Sequence, residues 1–373
     1  MRLPRPLLAG TVAAIVAGVP GSTASLAIEG ASGSLPLDPR PSPLAPPSRD
    51  PDATLAPVDG TIAFHGLLAP LERLPRGVAA VAEDGPGLMS TMPKGREMFW
   101  AWDFERRAYY RLEAVLGYAG SQVWVYAEAD QGADPARVSA LGMALDERII
   151  PRLRHAFGSD PLPGIDGVGP VTVLLLDIRD GYYYGTAPYV SGFFLPVNEY
   201  AQADLDRTMP GQRSNEREMV YVDLNPTDLG GPIVAQTAAH EFEHLIAWNH
   251  DRDEEPWLDE GLADLAVTVA GLGYPREHVA AFLRQPTTPL TQWSSEPADY
   301  GASYLFFLYL AEQRGSGDYR WLRDLVADEG DGMVAVGRAL PAGHTLAEFF
   351  LDFALALVHD DVNTGGGRFG FES

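Results

Sequence analysis

Two histidines stand four residues apart at His240 and His244, and Glu241 follows the first of them. On an α-helix, residues with this spacing project from one face about a turn apart. Their ring nitrogens can therefore bind one zinc ion, and Glu241 can take a proton from a water on that ion. The triplet predicts a catalytic zinc site. The alternative interpretation is a surface helix that happens to carry histidines and acids.

A catalytic zinc site needs a third protein ligand, and two residues compete for this place. His250 has the spacing of the metzincin signature, but that signature requires glycine at position 247 and a downstream methionine turn. The chain has Ala247 there, and no such turn follows. Glu260 opens the next predicted helix, where a carboxylate is stabilised by the positive helix end. We therefore favour Glu260, which leaves His250 in a solvated loop.

Asp264 lies four residues after Glu260, on the same face of that helix. Its carboxylate can accept the free ring N–H of His240 or His244 and so fix the tautomer of the ligand. The charged run 251–255 precedes this helix. It lacks the spacing and the glycine of an EF-hand loop, so calcium binding has no support and a solvated loop is favoured.

Charge and composition exclude several classes of function. The chain of 373 residues has 51 acidic and 27 basic residues, which gives a formal net charge of −24. Such a chain cannot supply the basic surface that nucleic acids or anionic lipids require. Cysteine is absent, which excludes disulfides, thiol catalysis and cysteine-ligated zinc. Lys94 is the only lysine, and it lies in no lysine-dependent catalytic motif. No feature indicates an oligomeric state.

The beginning of the chain has the layout of a secretory signal peptide, which we assign to residues 1–27. Arg2 and Arg5 precede an uncharged run at 7–19, and small residues follow. That run is too short to span a bilayer, so we expect a secreted, extracellular protein without a membrane span after signal removal. Residues 28–56 are rich in proline, serine and alanine, which predicts a disordered linker.

The pattern of apolar residues predicts an α+β fold in which a mixed sheet precedes a helical half. Residues 57–97 form an uncertain lead-in or a propeptide, and the catalytic domain is assigned to 98–373. We expect strands at 98–104, 121–127, 171–177 and 219–224. We expect helices at 106–120, 138–157, 236–248, 257–270, 277–284, 300–313, 318–327 and 345–358.

The segments HEFEHLI at 240–246 and WLDEGL at 257–262 resemble the gluzincin zinc metallopeptidases. The chain also resembles the hyicolysin-like family of bacterial secreted peptidases, over roughly residues 99–360. The resemblance implies a two-lobed zincin with an N-terminal mixed sheet, an active-site HExxH helix and a helical C-terminal lobe. It also implies one catalytic zinc, a protein or peptide substrate, and an edge strand that binds it, which we expect at 219–224.

A further similarity, to the tyrosine-containing helix of gluzincin aminopeptidases, implies that Tyr300 stabilises the transition state. Tyr304 lies one turn later and is the alternative, and His278 and His344 are the next candidates. Both tyrosines can also be explained as core residues of an apolar helix. The predicted function is a secreted zinc endopeptidase, and the alternative is an inactive or non-peptide zinc-fold binding module.

Overall fold

The computed structural model describes residues 57–61, 64, 71, 92–182, 189–315 and 317–372. The predicted signal peptide and linker lie outside these residues. The described part of the chain is α+β, with a mixed seven-stranded sheet followed by helices. In this part, no helix has both the length and the apolar character needed to cross a membrane.

The sheet runs in the order β1-β6-β7-β5-β4-β3-β2. Strands β2, β3 and β4 form an antiparallel meander, while β4, β5 and β7 are parallel to one another. Strand β6 is antiparallel to β7, and β1 is added in parallel to its outer side. The strands are β1 (Val58–Asp59), β2 (Arg96–Asp103), β3 (Ala108–Ala119), β4 (Val123–Glu128), β5 (Val171–Leu176), β6 (Val190–Phe194) and β7 (Met219–Asp223).

Strand β5 shows how the sheet builds a core on each of its faces. Val173 and Leu175 belong to the core under the helices, whereas Leu174 and Leu176 belong to the core on the opposite side. This alternation follows from the two-residue period of a strand. A strand that is buried on both faces has an uninterrupted apolar sequence, which is why 171–177 was predicted correctly.

The helix predicted at 106–120 is wrong, because this segment is the long strand β3. Leu112 and Ala114 are buried, while Arg111 and Glu113 between and beside them are exposed. That alternation is the period of a strand. Leu112 pairs with Phe99 of β2, so burial against a neighbouring strand outweighs the helix-favouring residues of the segment.

The edge strand was also predicted wrongly. Strand β7, which corresponds to the predicted strand 219–224, lies inside the sheet between β5 and β6. Strand β6, which the sequence did not reveal, lies on the other side of β7, and β1 forms the edge of the sheet beyond it. The lead-in 57–97 therefore contributes β1 and the beginning of β2 to the same sheet as the rest of the domain.

The remaining predicted helices are confirmed with ends that shift by four residues or fewer, although 318–327 divides into a 3₁₀ turn (Tyr319–Trp321) and a short helix. Two short helices, Gln202–Thr208 and Met333–Ala339, were not predicted. The helices are α1 (Pro135–Ala144), α2 (Ile150–Phe157) after a π-helical turn (Leu145–Ile149), α3 (Gln202–Thr208), α4 (Pro232–His250), α5 (Pro256–Val269), α6 (Arg276–Arg284), α7 (Pro297–Gln313), α8 (Leu322–Val326), α9 (Met333–Ala339) and α10 (Leu346–His359).

Two glycines allow the helices around α4 to approach closely. A Cβ atom on Gly261 of α5 would lie 2.5 Å from the Phe307 ring of α7. One on Gly301 of α7 would lie 2.1 Å from the His278 carbonyl oxygen of α6. Real Cβ atoms do not come this close, so glycine is required at both places. The close packing brings residues of α5, α6 and α7 to the same buried region beside α4.

Candidate metal centre

Three of the predicted ligands converge in the buried space between α4 and α5. His240 and His244 lie one turn apart on α4, and their Nε2 atoms are 3.2 Å apart. The Oε2 atom of Glu260, from the first turns of α5, lies 3.2 Å from the His240 Nε2 atom and 3.6 Å from that of His244. The glutamate side chain is fully buried. The structure therefore brings Glu260, rather than His250, to the two histidines.

A fourth residue, Asp59 of β1, joins this group and was not predicted. Its Oδ2 atom lies 3.4 Å from the His244 Nε2 atom, and the carboxylate is buried. One ligand atom from each of Asp59, His240, His244 and Glu260 lies within 4.8 Å of every other. No motif spacing connects Asp59 with a helix so far along the chain, so the sequence carried no signal for it.

Each histidine is held from behind by a carboxylate. The His240 Nδ1 atom lies 3.1 Å from the Asp264 Oδ1 atom, as predicted for one of the two rings. The His244 Nδ1 atom lies 3.2 Å from the Asp259 Oδ1 atom, a partner that the sequence analysis did not identify. A neutral ring that donates from Nδ1 carries its lone pair on Nε2. Both Nε2 lone pairs then point into the centre.

The atoms around the centre fit a divalent metal ion. Within the described residues, no hydrogen-bond donor satisfies the Asp59 Oδ2 atom or either carboxylate oxygen of Glu260. Acceptor atoms that converge in a buried space repel one another and have lost their hydration. A cation that binds them offsets both costs. Two imidazole nitrogens and carboxylate oxygens are also the donors that transition-metal ions accept. These four residues can therefore hold a metal ion.

The charges around the histidines favour a cation in the same place. Burial alone would lower the pKa of His240, but the nearby carboxylates of Asp264 and Glu260 raise that pKa well above its usual value. Burial also disfavours the protonated form of His244, but the negative charges of Asp259 and Glu260 outweigh burial. They raise the pKa of His244 well above its usual value. Protons therefore compete for the positions that a metal ion would take, and metal affinity falls with acidification.

Glu241 lies beside the centre but outside the set of converging ligand atoms. Its Oε2 atom accepts a hydrogen bond of 3.1 Å from the Thr61 hydroxyl. Its Oε1 atom rests against Gly192 of β6, where a Cβ atom would lie only 2.8 Å away. Burial, together with the nearby charge of Asp59, raises the pKa of Glu241 well above its usual value. Such a carboxylate is a stronger base than an exposed one.

Of the two candidate tyrosines, Tyr300 is the one that faces the centre. Its hydroxyl is fully buried near the Asp59 backbone, without the geometry of a hydrogen bond to any described residue. Burial and the charges of Glu260 and Asp59 raise the pKa of Tyr300 well above its usual value. The Tyr304 hydroxyl instead pairs with the Thr268 hydroxyl at 2.9 Å.

The remaining histidines take other places. His278 lies behind the centre, with Nδ1 2.7 Å from the Asp264 Oδ2 atom and Nε2 2.9 Å from the Pro57 carbonyl oxygen. Acceptors face both of its nitrogens, and although burial lowers the pKa of His278, Asp264 and Pro57 raise it overall. His250 contacts the Ser159 carbonyl oxygen, and the His344 ring lies near the carbonyl oxygen of Pro341. Neither belongs to the converging group.

Cavities open on both sides of the centre. The larger, of about 730 Å³, reaches His240 and Asp264. The smaller, of about 230 Å³, reaches His244 and Trp248. Residues 57–61 contribute to the walls of both. The apolar and aromatic residues around the larger cavity include Tyr182, Tyr189, Ile233, Val267, Leu272 and Tyr274.

The charged run 251–255 forms the short connection between α4 and α5. Carboxylates of Asp251 and Asp253 lie near that of Asp331, close enough to hold a cation. The three side chains are exposed or half-buried, as in many acidic loops that bind no ion. Calcium binding therefore gains no support.

No protein-family profile matches the chain, and a search of curated proteins finds no significant match. The functional argument therefore rests on the chemistry of the site.

Proposed function

We propose that the chain is a secreted zinc-dependent endopeptidase of the gluzincin type. One observation carries this proposal: His240, His244 and Glu260 converge on one point, while Glu241 lies next to them without joining the ligands. The activation of water requires at least a metal ion that binds it and an adjacent carboxylate that can accept its proton. The sheet before α4 and the helices after it agree with the two lobes that such a peptidase needs.

Zinc is the metal that this donor set favours. His240 and His244 would supply ring nitrogens and Glu260 an oxygen, which is a common set for catalytic zinc. Zinc in this position would lower the pKa of a bound water towards neutrality and polarise a carbonyl group. Asp264 and Asp259 would hold the two rings in the tautomer that leaves Nε2 free.

Glu241 is the proposed general base. Its carboxylate would accept the proton of the attacking water and then deliver it to the leaving amine nitrogen. The burial that raises the pKa of Glu241 makes its carboxylate a stronger base for the first of these steps.

Tyr300 is the proposed donor to the developing oxyanion. Its hydroxyl is buried next to Glu260 and Asp59, and its ring is held 4.6 Å from the ring of His278 and 4.8 Å from that of Trp293. A donor that is fixed before the reaction stabilises the transition state without having to reorganise.

The substrate is proposed to be an extended peptide with a large apolar side chain near the cleaved bond. An extended chain can pair with β6, the strand beside the centre, through main-chain hydrogen bonds if it takes the place of the short strand β1. The apolar cavity next to His240 can then receive one side chain.

One observation favours a second candidate, a non-catalytic module with a structural metal. Asp59 gives the centre four protein ligands, and zinc sites that are closed in this way are usually structural. Such a module would keep its metal and cleave nothing.

Metal analysis combined with peptide cleavage tests the proposal. We expect about one zinc per chain, the stoichiometry of a single site, and cleavage that a chelator abolishes. Glu260→Ala should lose most of the metal. His250→Ala is the matched control and should keep it. Loss of zinc from His250→Ala, with retention in Glu260→Ala, would show that the ligands have been misassigned.

A further inference from the structure

Residues 57–61 lie along the outer side of β6, next to the metal centre. The Val58 N–H donates to the Tyr189 carbonyl oxygen, and the Gly60 N–H donates to that of Gly192, each at 2.9 Å. At the end of the segment, the Thr61 hydroxyl accepts a hydrogen bond of 2.7 Å from the Phe194 N–H. The segment thus uses the main-chain groups along β6 that an added peptide strand would need.

The middle of this segment reaches the metal ligands. Asp59 places its Oδ2 atom 3.4 Å from the His244 Nε2 atom, and its other oxygen accepts from the Thr61 N–H at 2.9 Å. A carboxylate in this place can occupy the metal position that a catalytic site leaves open for water.

The ends of the segment contact the proposed base and the histidine behind the centre. The Thr61 hydroxyl donates to Glu241 at 3.1 Å and so occupies a lone pair of the proposed base. The Pro57 carbonyl oxygen faces the His278 ring at 2.9 Å. Five consecutive residues therefore contact the strand edge, a metal ligand, the base and the ring behind Asp264.

The segment also lies where a substrate would have to pass. Pro57, Val58 and Asp59 line the cavity beside His240, and Thr61 lines the one beside His244. A peptide that ran from one cavity to the other across the metal would meet these residues. The segment and a substrate therefore exclude each other.

We propose that residues 57–61 are a built-in occupant of the substrate cleft, with the Asp59 carboxylate as a displaceable fourth metal ligand. The chain is then latent until this segment leaves. The inference rests on the proposed function for the nature of the substrate, but the occupancy of the metal position can be measured separately. Strand β1 is only two residues long, so few main-chain hydrogen bonds oppose its departure.

Binding of acetohydroxamic acid, a small metal-chelating probe, to the zinc-loaded full-length chain tests this occupancy without a catalytic readout. The apparent affinity of the probe is its intrinsic affinity multiplied by the fraction of chains with an open metal position. If Asp59 fills that position in nine chains of ten, Asp59→Ala should bind the probe about tenfold more tightly. It should also retain about one zinc, held by the three remaining ligands. Asp206→Ala, at an exposed aspartate of α3, is the control and should match the wild type.

Thr61→Val tests the role of the segment independently of the Asp59 carboxylate. This variant leaves Asp59 intact and removes the hydrogen bonds of the Thr61 hydroxyl to Glu241 and Phe194. Each lost hydrogen bond costs about 1 kcal/mol, which lowers the ratio of chains with the segment bound to chains with it released about fivefold. More chains then have an open metal position, so the affinity for the probe should rise several-fold. Unchanged affinity in Thr61→Val would show that the segment does not control access.

The two proposals fail in different ways. Loss of zinc from Asp59→Ala, or unchanged probe affinity, would overturn the latency proposal and make Asp59 a permanent ligand. Retained zinc and tighter probe binding without any cleavage of peptides would support the occupancy by Asp59 and overturn the peptidase assignment. Tighter probe binding together with faster peptide cleavage than in the wild-type chain would support both.

Discussion

The His240 Nδ1 atom lies 3.1 Å from the Asp264 Oδ1 atom, and this contact connects the proposed ligand His240 to a longer buried chain of polar groups. The other oxygen of Asp264 lies 2.7 Å from the His278 Nδ1 atom. Burial would raise the pKa of Asp264, but His278 and His240 outweigh it and lower that pKa. The carboxylate is therefore charged at neutral pH and can hold both rings at once.

Replacement of Asp264 by asparagine should weaken metal binding without unfolding the chain. An amide has only one acceptor oxygen, so it can satisfy His240 or His278 but not both. We expect zinc affinity to fall by about 10–100-fold, the usual effect of removing a group that orients a ligand. Competition with a fluorescent chelator would measure it, with Asp206→Asn as the control. An unchanged affinity would mean that Asp264 does not orient the ligand.

Tyr300 and Tyr304 should differ sharply when each loses its hydroxyl. Tyr300→Phe keeps the ring between His278 and Trp293 but removes the proposed oxyanion donor. Its kcat should fall by about 10²–10³-fold with little change in KM, because the hydrogen bond forms mainly in the transition state. Tyr304→Phe removes only the contact with Thr268 and should keep its turnover. Steady-state kinetics with one peptide would compare them, and the reverse result would exclude Tyr300 as the donor.

Glu218 should make the folded chain less stable as the pH rises. This buried carboxyl accepts from the Ile165 N–H at 2.7 Å, and burial with the charges of Asp166 and Asp160 raises its pKa from 4.5 to about 7. Between these values the unfolded chain has released the proton while the folded chain still holds it. Stability therefore falls as pH rises from about 4.5 to 7 and loses nothing more to this group at higher pH.

The size of this effect can be isolated with Glu218→Gln. The rise in the pKa of Glu218 from 4.5 to about 7 corresponds to about 3 kcal/mol in the free energy of unfolding. Denaturant titrations at pH 5 and pH 7.5 should show a smaller loss of stability in Glu218→Gln than in the wild type. Glu147→Gln changes an exposed residue and should show the full loss. Identical slopes in Glu218→Gln and the wild type would contradict this role.

The sequence predicted the half of the site that is local. His240 and His244 belong to one helix, and Glu260 and Asp264 belong to the next, so helical spacing alone places each pair on one face. Asp59 was missed because it reaches the centre from β1, a strand at the edge of the sheet that lies far from α4 in the sequence. Such a contact depends on tertiary structure and has no sequence period.

The missed strand β6 has a related cause. Its sequence contains Ser191 and Gly192, which do not favour strands, and glycine weakens a strand interior. In the structure, Gly192 provides the space for the Glu241 carboxylate, so the residue that obscured the strand also positions the proposed base. At a site where a side chain needs space, the residue chosen can contradict local strand propensity, so propensity predicts the secondary structure poorly there.

The most direct test of the account is peptide cleavage by the zinc-loaded chain with and without the Glu241 carboxylate. Glu241→Gln keeps the shape of the side chain. Because Glu241 is not one of the proposed metal ligands, the zinc content should be unchanged. Cleavage of a mixed peptide library should fall by about 10²–10⁴-fold, both in the wild-type chain and in Asp59→Ala. Equal cleavage by Glu241→Gln, or none by the chains that retain Glu241, would contradict the assignment as a zinc peptidase.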